Sequence, residues 1–311
     1  MIAVLILIPA IAFIAIVLGV YAMAFYSRQR GRRENIYDIP SSPQYQPQKE
    51  RMRRIIGELD AIPCRRVQIT SRDGLTLSAR YYHTRDGAPL VIMAHGYRGS
   101  AIRDFCGGAR ISLDLGHNVL LLDQRANGAS GGRTITFGIR ERYDVLDWID
   151  FARRQFGEDV PMALYGVSMG AATVLMVAGM EELPKNVRGV AADCPYSSPE
   201  AIIRKVAGED MHLPAHLAMP LVRLAARLLG RFSIRADSPV EAVKRARIPI
   251  LIIHGEDDRF VPCSMSRELH AANPDRVRLE TFPGAGHGLS YIVDTDRYIR
   301  AVTGFEKEIM R

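Results

Sequence analysis

The chain has 311 residues, of which 48% are hydrophobic and 24% charged, an ordinary globular composition that excludes disorder over the whole length. A net charge of +7 suits a nucleic-acid partner, but ten Lys/Arg against five acids between Ser27 and Val67 account for +5 of it (10 − 5). The body is therefore close to neutral, and we expect no nucleic-acid partner.

The N-terminal segment has the length and composition of a membrane span. No charged residue occurs from Ile2 to Tyr26, and a helix of that length extends about 37 Å, enough to cross a hydrocarbon core of about 30 Å. Four arginines follow the span: Arg28, Arg30, Arg32 and Arg33. We predict that residues 1–27 form an uncleaved single-pass anchor and that, by the positive-inside rule, the body lies in the cytoplasm. The alternative is a signal peptide cleaved after Ala22-Met23-Ala24, with the body extracytoplasmic or secreted.

A basic linker is expected to join the span to the body. Residues from Glu34 to Pro47 are rich in Pro, Ser and Gln, which predicts a polar tether without regular structure. Lys49 to Leu59 predicts a short basic amphipathic helix. We therefore assign residues 28–60 to a juxtamembrane linker and residues 61–311 to one domain.

The body alternates predicted strands with predicted helices. It opens with a hairpin, in which strands from Cys64 to Ser71 and from Leu75 to Tyr82 flank Asp73-Gly74. Six apolar runs suit strands buried on both faces: Leu90–Ala94, Val119–Leu122, Pro161–Tyr165, Val187–Ala192, Ile248–Ile253 and Val277–Phe282. The helical stretches between or after them are Gly138–Phe156, Met169–Glu182, Ser264–Ala272 and Tyr291–Glu308. This order predicts an α/β fold with a mostly parallel central sheet flanked by helices.

The pentapeptide Gly166-Val167-Ser168-Met169-Gly170 joins a predicted strand to a predicted helix. A serine at such a sharp turn presents its hydroxyl outside the sheet, and the turn needs nearly side-chain-free neighbours. The positive end of the helix faces any anion that forms on the substrate. The alternative role for Ser168 is a simple helix cap. We favour a nucleophile because other motifs accompany it.

Those motifs follow other strands of the predicted sheet, where the chemistry of such sheets gathers. They are His95 to Ser100, His254 to Pro262, and Pro283 to Gly288. The amides of Tyr97 and Met169 are candidates for an oxyanion hole. Ser168, Asp258 and His287 occur in the order nucleophile, acid, base that is found when this chemistry is built on an α/β sheet. Asp257 and Asp193 are alternatives for the acid.

Taken together, these motifs resemble the α/β-hydrolase superfamily from about Cys64 to the C-terminus. The resemblance rests on His95-Gly96, the Gly-x-Ser-x-Gly turn at 166–170, His-Gly-x-x-Asp-x-x-Val-Pro at 254–262, Gly-His-Gly at 286–288, and a loop from Asp123 to Gly131. The resemblance selects Asp258 as the acid and implies no cofactor. No metal-ligand spacing is present either. The chain is most similar to the membrane-anchored bacterial branch with serine-aminopeptidase-like and acylglycerol-lipase-like members. It departs from the family at Ala126-Asn127, where the loop usually has Gly-His, which puts only the loop shape in doubt.

The segment from Ser197 to Asp237 interrupts the strand rhythm with helical, Leu- and Arg-rich sequence. Insertions at this place in the family resemble lids over an acyl pocket. A lid would line the pocket with Leu217, Leu221 and Leu228. The alternative is an amphipathic helix packed on the body.

We expect a serine hydrolase that forms an acyl-enzyme on Ser168 and cleaves carboxylic esters, including lipid-derived esters, near a bilayer. A serine peptidase or aminopeptidase-like amidase is the runner-up. A catalytically idle, membrane-tethered scaffold is the hypothesis from a different class; the complete set of candidate catalytic residues argues against it.

Overall fold

The structure, a computed structural model, describes residues 2–28 and 35–310. The described residues form one sheet of eight strands: β1 (Arg65–Thr70), β2 (Thr76–Tyr82), β3 (Leu90–Ala94), β4 (Asn118–Asp123), β5 (Met162–Val167), β6 (Val187–Asp193), β7 (Ile250–Gly255) and β8 (Val277–Phe282). Their order is β1-β2-β4-β3-β5-β6-β7-β8. The first two pairings are antiparallel and all later ones are parallel. The predicted α/β fold with a mostly parallel sheet is confirmed.

The described residues also form α-helices, most of which flank the sheet. They are α1 (Ile2–Ala24), α2 (Lys49–Asp60), α3 (Ala101–Asp104), α4 (Gly108–Asp114), α5 (Glu141–Phe156), α6 (Met169–Ala178), α7 (Pro199–Lys205), α8 (Ala215–Leu228), α9 (Pro239–Arg245), α10 (Cys263–Ala272), α11 (Ser290–Val293) and α12 (Thr295–Ile309). A 3₁₀ turn spans Gln46–Gln48 and a π-helical turn spans Val206–Asp210. The single helix expected from Tyr291 to Glu308 is two helices, because Asp294 accepts a hydrogen bond from the Arg297 amide and caps α12.

Apolar clusters cover both faces of the sheet. On one face Trp148 of α5, Val174 of α6 and Leu269 of α10 pack with the strands. On the other, Ile56 of α2 and Val302 of α12 do so. With both faces covered, the carboxyl ends of the parallel strands are left as the place where polar loops converge.

A third cluster joins the end of α1 to α8. Val17 and Phe25 are buried in it, with Val20, Tyr21 and Ala24 partly buried on the same helix face. Phe25 lies edge-on to Phe137 and Phe232, at 5.9 and 5.3 Å between ring centroids. Farther out, every α1 side chain from residue 7 to 16 is exposed. Among the described helices α1 alone is long and apolar enough to cross a membrane, a test that a signal sequence also passes.

The segment after α1 differs from the expected tether. Residues 35–45 form no helix or strand, as predicted, but they pack on the body: Ile39 is buried and Arg103 donates a hydrogen bond to the Asp38 carbonyl oxygen. The short helix predicted from Lys49 to Leu59 is present as α2. Three arginines of the predicted basic run, Arg30, Arg32 and Arg33, lie outside the described residues.

The loop after β4 holds an alanine in a backbone conformation that favours glycine. Ala126 has φ 63°, in the left-handed region where glycine is more comfortable. Its amide donates to the Gly131 carbonyl oxygen at 2.7 Å, and its methyl group is fully buried in the third cluster. The alanine is thus accommodated with a local conformational cost.

Candidate active site

The turn between β5 and α6 holds Ser168 in a conformation that few residues other than glycine adopt. Its φ is 55° and its ψ is −115°. A side chain at Gly166 would collide with the Gly170 backbone, and one at Gly170 would collide with the Ala94 carbonyl group. These two glycines let the chain turn sharply enough to present the hydroxyl at the strand end.

Ser168, His287 and Asp258 form one chain of hydrogen bonds. The distance from Ser168 Oγ to His287 Nε2 is 3.0 Å, and that from His287 Nδ1 to Asp258 Oδ2 is 2.7 Å. The three residues come from the loops after β5, β8 and β7, which end at the same edge of the sheet. An imidazole held in this way can accept the serine proton at Nε2 while the carboxylate fixes its other nitrogen as a donor.

Asp258 is built to stay ionised. Burial by itself would raise the pKa of this carboxyl, but His287 and His254 hold the pKa well below its usual range. Its Oδ1 accepts the amides of Phe260 and Val261, each at 2.9 Å, and His254 Nε2 lies 3.3 Å from Oδ2. His254 is fully buried, with Nδ1 2.6 Å from Ser266 Oγ. It therefore helps to hold the Asp258 carboxylate in place.

The two alternative acids are placed differently. Asp257 is exposed to solvent. Asp193 is buried at the end of β6, where Tyr298 Oη donates to its Oδ2 at 2.8 Å. Among the described residues, the carboxylate that contacts the His287 ring is that of Asp258.

The loop after β3 lies against the serine. A Cβ at Gly96 would be 3.4 Å from Ser168 Cβ, and the Gly99 amide closes a turn by donating to the Gly96 carbonyl oxygen at 3.0 Å. Tyr97, inside this turn, and Met169, the first residue of α6, have amides that need no partner within their own turn or helix. Met169 follows Ser168 directly, and Gly96, which precedes Tyr97, lies against Ser168, so both amides remain candidates for an oxyanion site.

Asp104 anchors this loop, a role that the sequence did not reveal. Its Oδ2 accepts the Gly96 amide at 2.8 Å and its Oδ1 accepts Arg103 Nε at 2.9 Å. Burial opposes the charge, but Arg103 keeps the pKa of Asp104 below its ordinary value. An Asp eight residues after Gly96 is the only signal available in the sequence, and it is weak.

The segment between α1 and α2 also reaches the site. Gln44 Oε1 accepts the backbone amide of His287 at 3.1 Å, and Tyr45 Oη donates to the carbonyl oxygen of the same residue at 2.9 Å. Both backbone polar groups of His287 are therefore bound by two consecutive residues of the segment that was expected to be a free tether.

A cavity of about 1090 Å³ opens over Ser168 and His287. Its wall includes Tyr45, Met52, Tyr97 and Phe260. Leu217, Leu221 and Leu228, which the sequence suggests as lining of an acyl pocket, are not among the residues that line this cavity. Leu217 and Leu228 are exposed and Leu221 packs in the cluster with α1, because α8 lies against α1 instead of over the serine.

One group near the site has the composition of a metal site. Cys194, Asp258 and His287 offer ligand atoms within 4.8 Å of one another. Both ring nitrogens of His287 already face Asp258 and Ser168, however, and burial raises the pKa of the Cys194 thiol well above its ordinary value, which disfavours the thiolate that metals prefer.

Comparison with known proteins agrees with this architecture. A family model described as the alpha/beta hydrolase fold matches residues 89–218, and one for the dienelactone hydrolase family matches residues 212–301. The chain is 26% identical to the uncharacterized protein YqkD of Bacillus subtilis (strain 168), with 76% of this chain and 77% of YqkD covered. It is also 26% identical to the uncharacterized protein Rv2307c of Mycobacterium tuberculosis (strain ATCC 25618 / H37Rv), with 96% and 95% covered.

A solved structure gives the same picture of the fold. The esterase Pf2001 of Pyrococcus furiosus superposes with a TM-score of 0.67 at 22% identity, over 92% of this chain and 100% of that one. The chain therefore has the α/β-hydrolase fold.

Proposed function

We propose that this protein is a serine hydrolase that cleaves carboxylic esters through an acyl-enzyme on Ser168. The observation that carries the proposal is the hydrogen-bonded chain from Ser168 through His287 to an ionised Asp258. The serine stands on a strained turn in the wall of a cavity, and Met169 and Tyr97 supply the proposed oxyanion amides. This is the set of parts that acyl transfer needs.

In the first half-reaction His287 Nε2 takes the proton of Ser168 Oγ as the oxygen attacks the ester carbonyl carbon. The carbonyl oxygen becomes an oxyanion that accepts hydrogen bonds from the Tyr97 and Met169 amides. When the tetrahedral intermediate collapses, His287 gives the proton to the departing alkoxide, and an alcohol leaves. The serine then carries the acyl group as an ester.

In the second half-reaction a water molecule replaces the alcohol. His287 takes one of its protons as the oxygen attacks the acyl carbon, and returns that proton to Ser168 Oγ when the second intermediate collapses. A carboxylic acid leaves and the enzyme is restored. Throughout, Asp258 stays ionised and stabilises the protonated imidazole.

We also propose that α1 remains attached and spans the bilayer. Its last turns are integrated into the body: Phe25 is fully buried, Tyr21 Oη lies 2.6 Å from Thr134 Oγ1, and Tyr97 Oη donates to the Ala24 carbonyl oxygen at 3.0 Å. Cleavage after Ala24 would remove two of these three contacts, those of Tyr21 and Ala24. A retained anchor places the cavity close to a membrane, which favours lipid-derived esters as substrates.

The test is covalent labelling of the full-length protein in detergent with a fluorophosphonate probe. We expect labelling of the wild type and loss of labelling in Ser168→Ala. Ser42→Ala is the matched control, because Ser42 is another serine on the cavity wall and its loss should leave labelling intact. Labelling that survives in a folded Ser168→Ala variant would reject the proposed nucleophile.

A further inference from the structure

We propose that the N-terminal end of α8, with the residues before it, is a second membrane contact that enters the bilayer beside α1. The surface consists of Met211, Leu213 and Leu217, and its partner is the lipid itself. All three side chains are exposed, Leu217 to 61%. This inference rests on the proposed membrane insertion of α1.

The first argument is the length of α1. The stretch of α1 that is long and apolar enough to span a membrane is the 18 residues from Leu7 to Ala24. A hydrocarbon core of about 30 Å needs about 20 residues. The span must therefore continue through Val17, Val20 and Tyr21, and these are the residues whose helix face packs with the α8 cluster. If α1 crosses the membrane, its neighbour on α8 enters the membrane boundary with it.

The second argument is the direction of α8. Phe25 follows α1 and Phe232 follows α8, and their rings are in contact at 5.3 Å between centroids. The helices pack side by side with their C-terminal ends together, so the N-terminal end of α8 points in the same direction as that of α1. Leu217 thus lies on the lipid side of the helix pair. Leu228, eleven residues farther along α8 or about 16 Å, lies on the side of the body.

The third argument is composition. No Asp or Glu occurs from Met211 to Ala236, whereas two histidines and four arginines do: His212, His216, Arg223, Arg227, Arg231 and Arg235. An amphipathic helix that combines apolar and basic residues without acids matches the interface of an anionic membrane. Its lack of carboxylates avoids repulsion from lipid phosphates.

The surface is continuous with the catalytic cavity. Val206 and Asp210 of the π-helical turn belong to the cavity wall, and Met211 follows directly in the chain. A cavity whose rim continues into a lipid-contacting segment can receive an ester from the membrane without its passage through water. The surface thereby narrows the proposed substrates to esters that reside in the bilayer.

The experiment uses tryptophan fluorescence of the full-length protein in vesicles of phosphatidylcholine and anionic phosphatidylglycerol with brominated acyl chains, which quench tryptophans in the hydrocarbon region. The chain has a single tryptophan, Trp148, which is buried and gives a constant background. Three variants each add one reporter: Phe13→Trp on the exposed part of α1, Leu217→Trp, and Leu228→Trp. Leu228 is the matched control because it lies on the same helix with the same exposure, 62% against 61%.

We expect brominated lipid to reduce the added emission of Phe13→Trp and Leu217→Trp at least about twofold and to leave that of Leu228→Trp unchanged. Quenching of Phe13→Trp alone would overturn the α8 surface while leaving the α1 span in place. An unquenched Phe13→Trp would reject the span and with it the surface. Equal quenching of Leu217→Trp and Leu228→Trp would show unspecific adsorption of α8 and would also overturn the inference. None of these readings depends on hydrolysis, so they leave the serine mechanism to its own test.

Discussion

Tyr45 Oη donates a hydrogen bond of 2.9 Å to the carbonyl oxygen of His287, across 242 positions of sequence. Together with the contact from Gln44, it fixes the backbone of the residue proposed to move the proton in every step. The Tyr45 side chain is largely buried, and burial raises the pKa of its phenol far above the usual value, so the group remains a donor at any working pH.

The first prediction concerns this contact. Tyr45→Phe keeps the ring but removes the donor, and we expect kcat for a short soluble ester to fall about tenfold with little change in KM, because small displacements of a catalytic group mainly affect the transition state. The measurement is steady-state kinetics of full-length enzyme in detergent. Tyr37→Phe, at an exposed tyrosine of the same segment, should be neutral. An increase in KM alone would mean that Tyr45 only shapes the cavity.

The second prediction separates the three candidate acids. Asp258→Asn should lower kcat by about 10⁴-fold, the loss expected when the residue that fixes the imidazole tautomer is replaced. Asp257→Asn and Asp193→Asn should each stay within about tenfold of the wild type, because neither carboxylate contacts the His287 ring. A large loss of kcat confined to Asp193→Asn would show that Asp193, at the end of β6, is the catalytic acid instead.

The features that could be predicted from the sequence are those that a local residue pattern specifies. The strands and the grouping of Ser168, Asp258 and His287 could be predicted because the motifs are local and the strands are parallel, which brings their ends to one edge. Gln44 and Tyr45 could not be predicted, since a Pro- and Gln-rich stretch carries no signal for its distant partner in the β8 loop.

The leucines of α8 show the same limit. Their spacing correctly indicated an amphipathic helix, but amphipathicity does not specify which surface covers the apolar face. The structure places Leu221 in the cluster with α1, and it leaves Leu217 and Leu228 outside the cavity. Tertiary packing, not the local pattern, decided the role of the segment.

The third prediction is a pH dependence of stability that arises at Asp193. Burial raises the pKa of this carboxyl to about 6, above its ordinary value of 3.8, despite the hydrogen bond from Tyr298. Its Oδ1 is buried without a hydrogen-bond partner among the described residues. As the pH rises, the Asp193 carboxyl loses its proton at a lower pH in the unfolded state than in the folded state. The free energy of unfolding therefore falls between about pH 4 and about pH 6, and it stays lower above that range.

Asp193→Asn removes the ionisation and should therefore be more stable than the wild type at pH 8, by about 3 kcal/mol at most, with the advantage vanishing near pH 4. Chemical denaturation in detergent at the two pH values measures the difference. Asp257→Asn is the control, because that carboxylate is exposed and should show no such pH-dependent gap. A gap of equal size at both pH values would show that the effect comes from packing and not from the proton.

The last prediction concerns two glycines with opposite surroundings. At Gly170 in α6 an added methyl group would press on the Ala94 and His95 backbones, neither of which can move without displacing the loop after β3. Gly304 lies exposed within α12, and a methyl group there would have no heavy atom within 4 Å. Gly170→Ala should therefore lower the thermal midpoint by several degrees and abolish probe labelling at Ser168. Gly304→Ala should stabilise the protein by up to about 1 kcal/mol, because alanine has the higher helix propensity, and should keep full labelling. Thermal unfolding and fluorophosphonate labelling of both full-length variants would show this contrast, and a labelled, stable Gly170→Ala protein would contradict the tight elbow on which the placement of the serine depends.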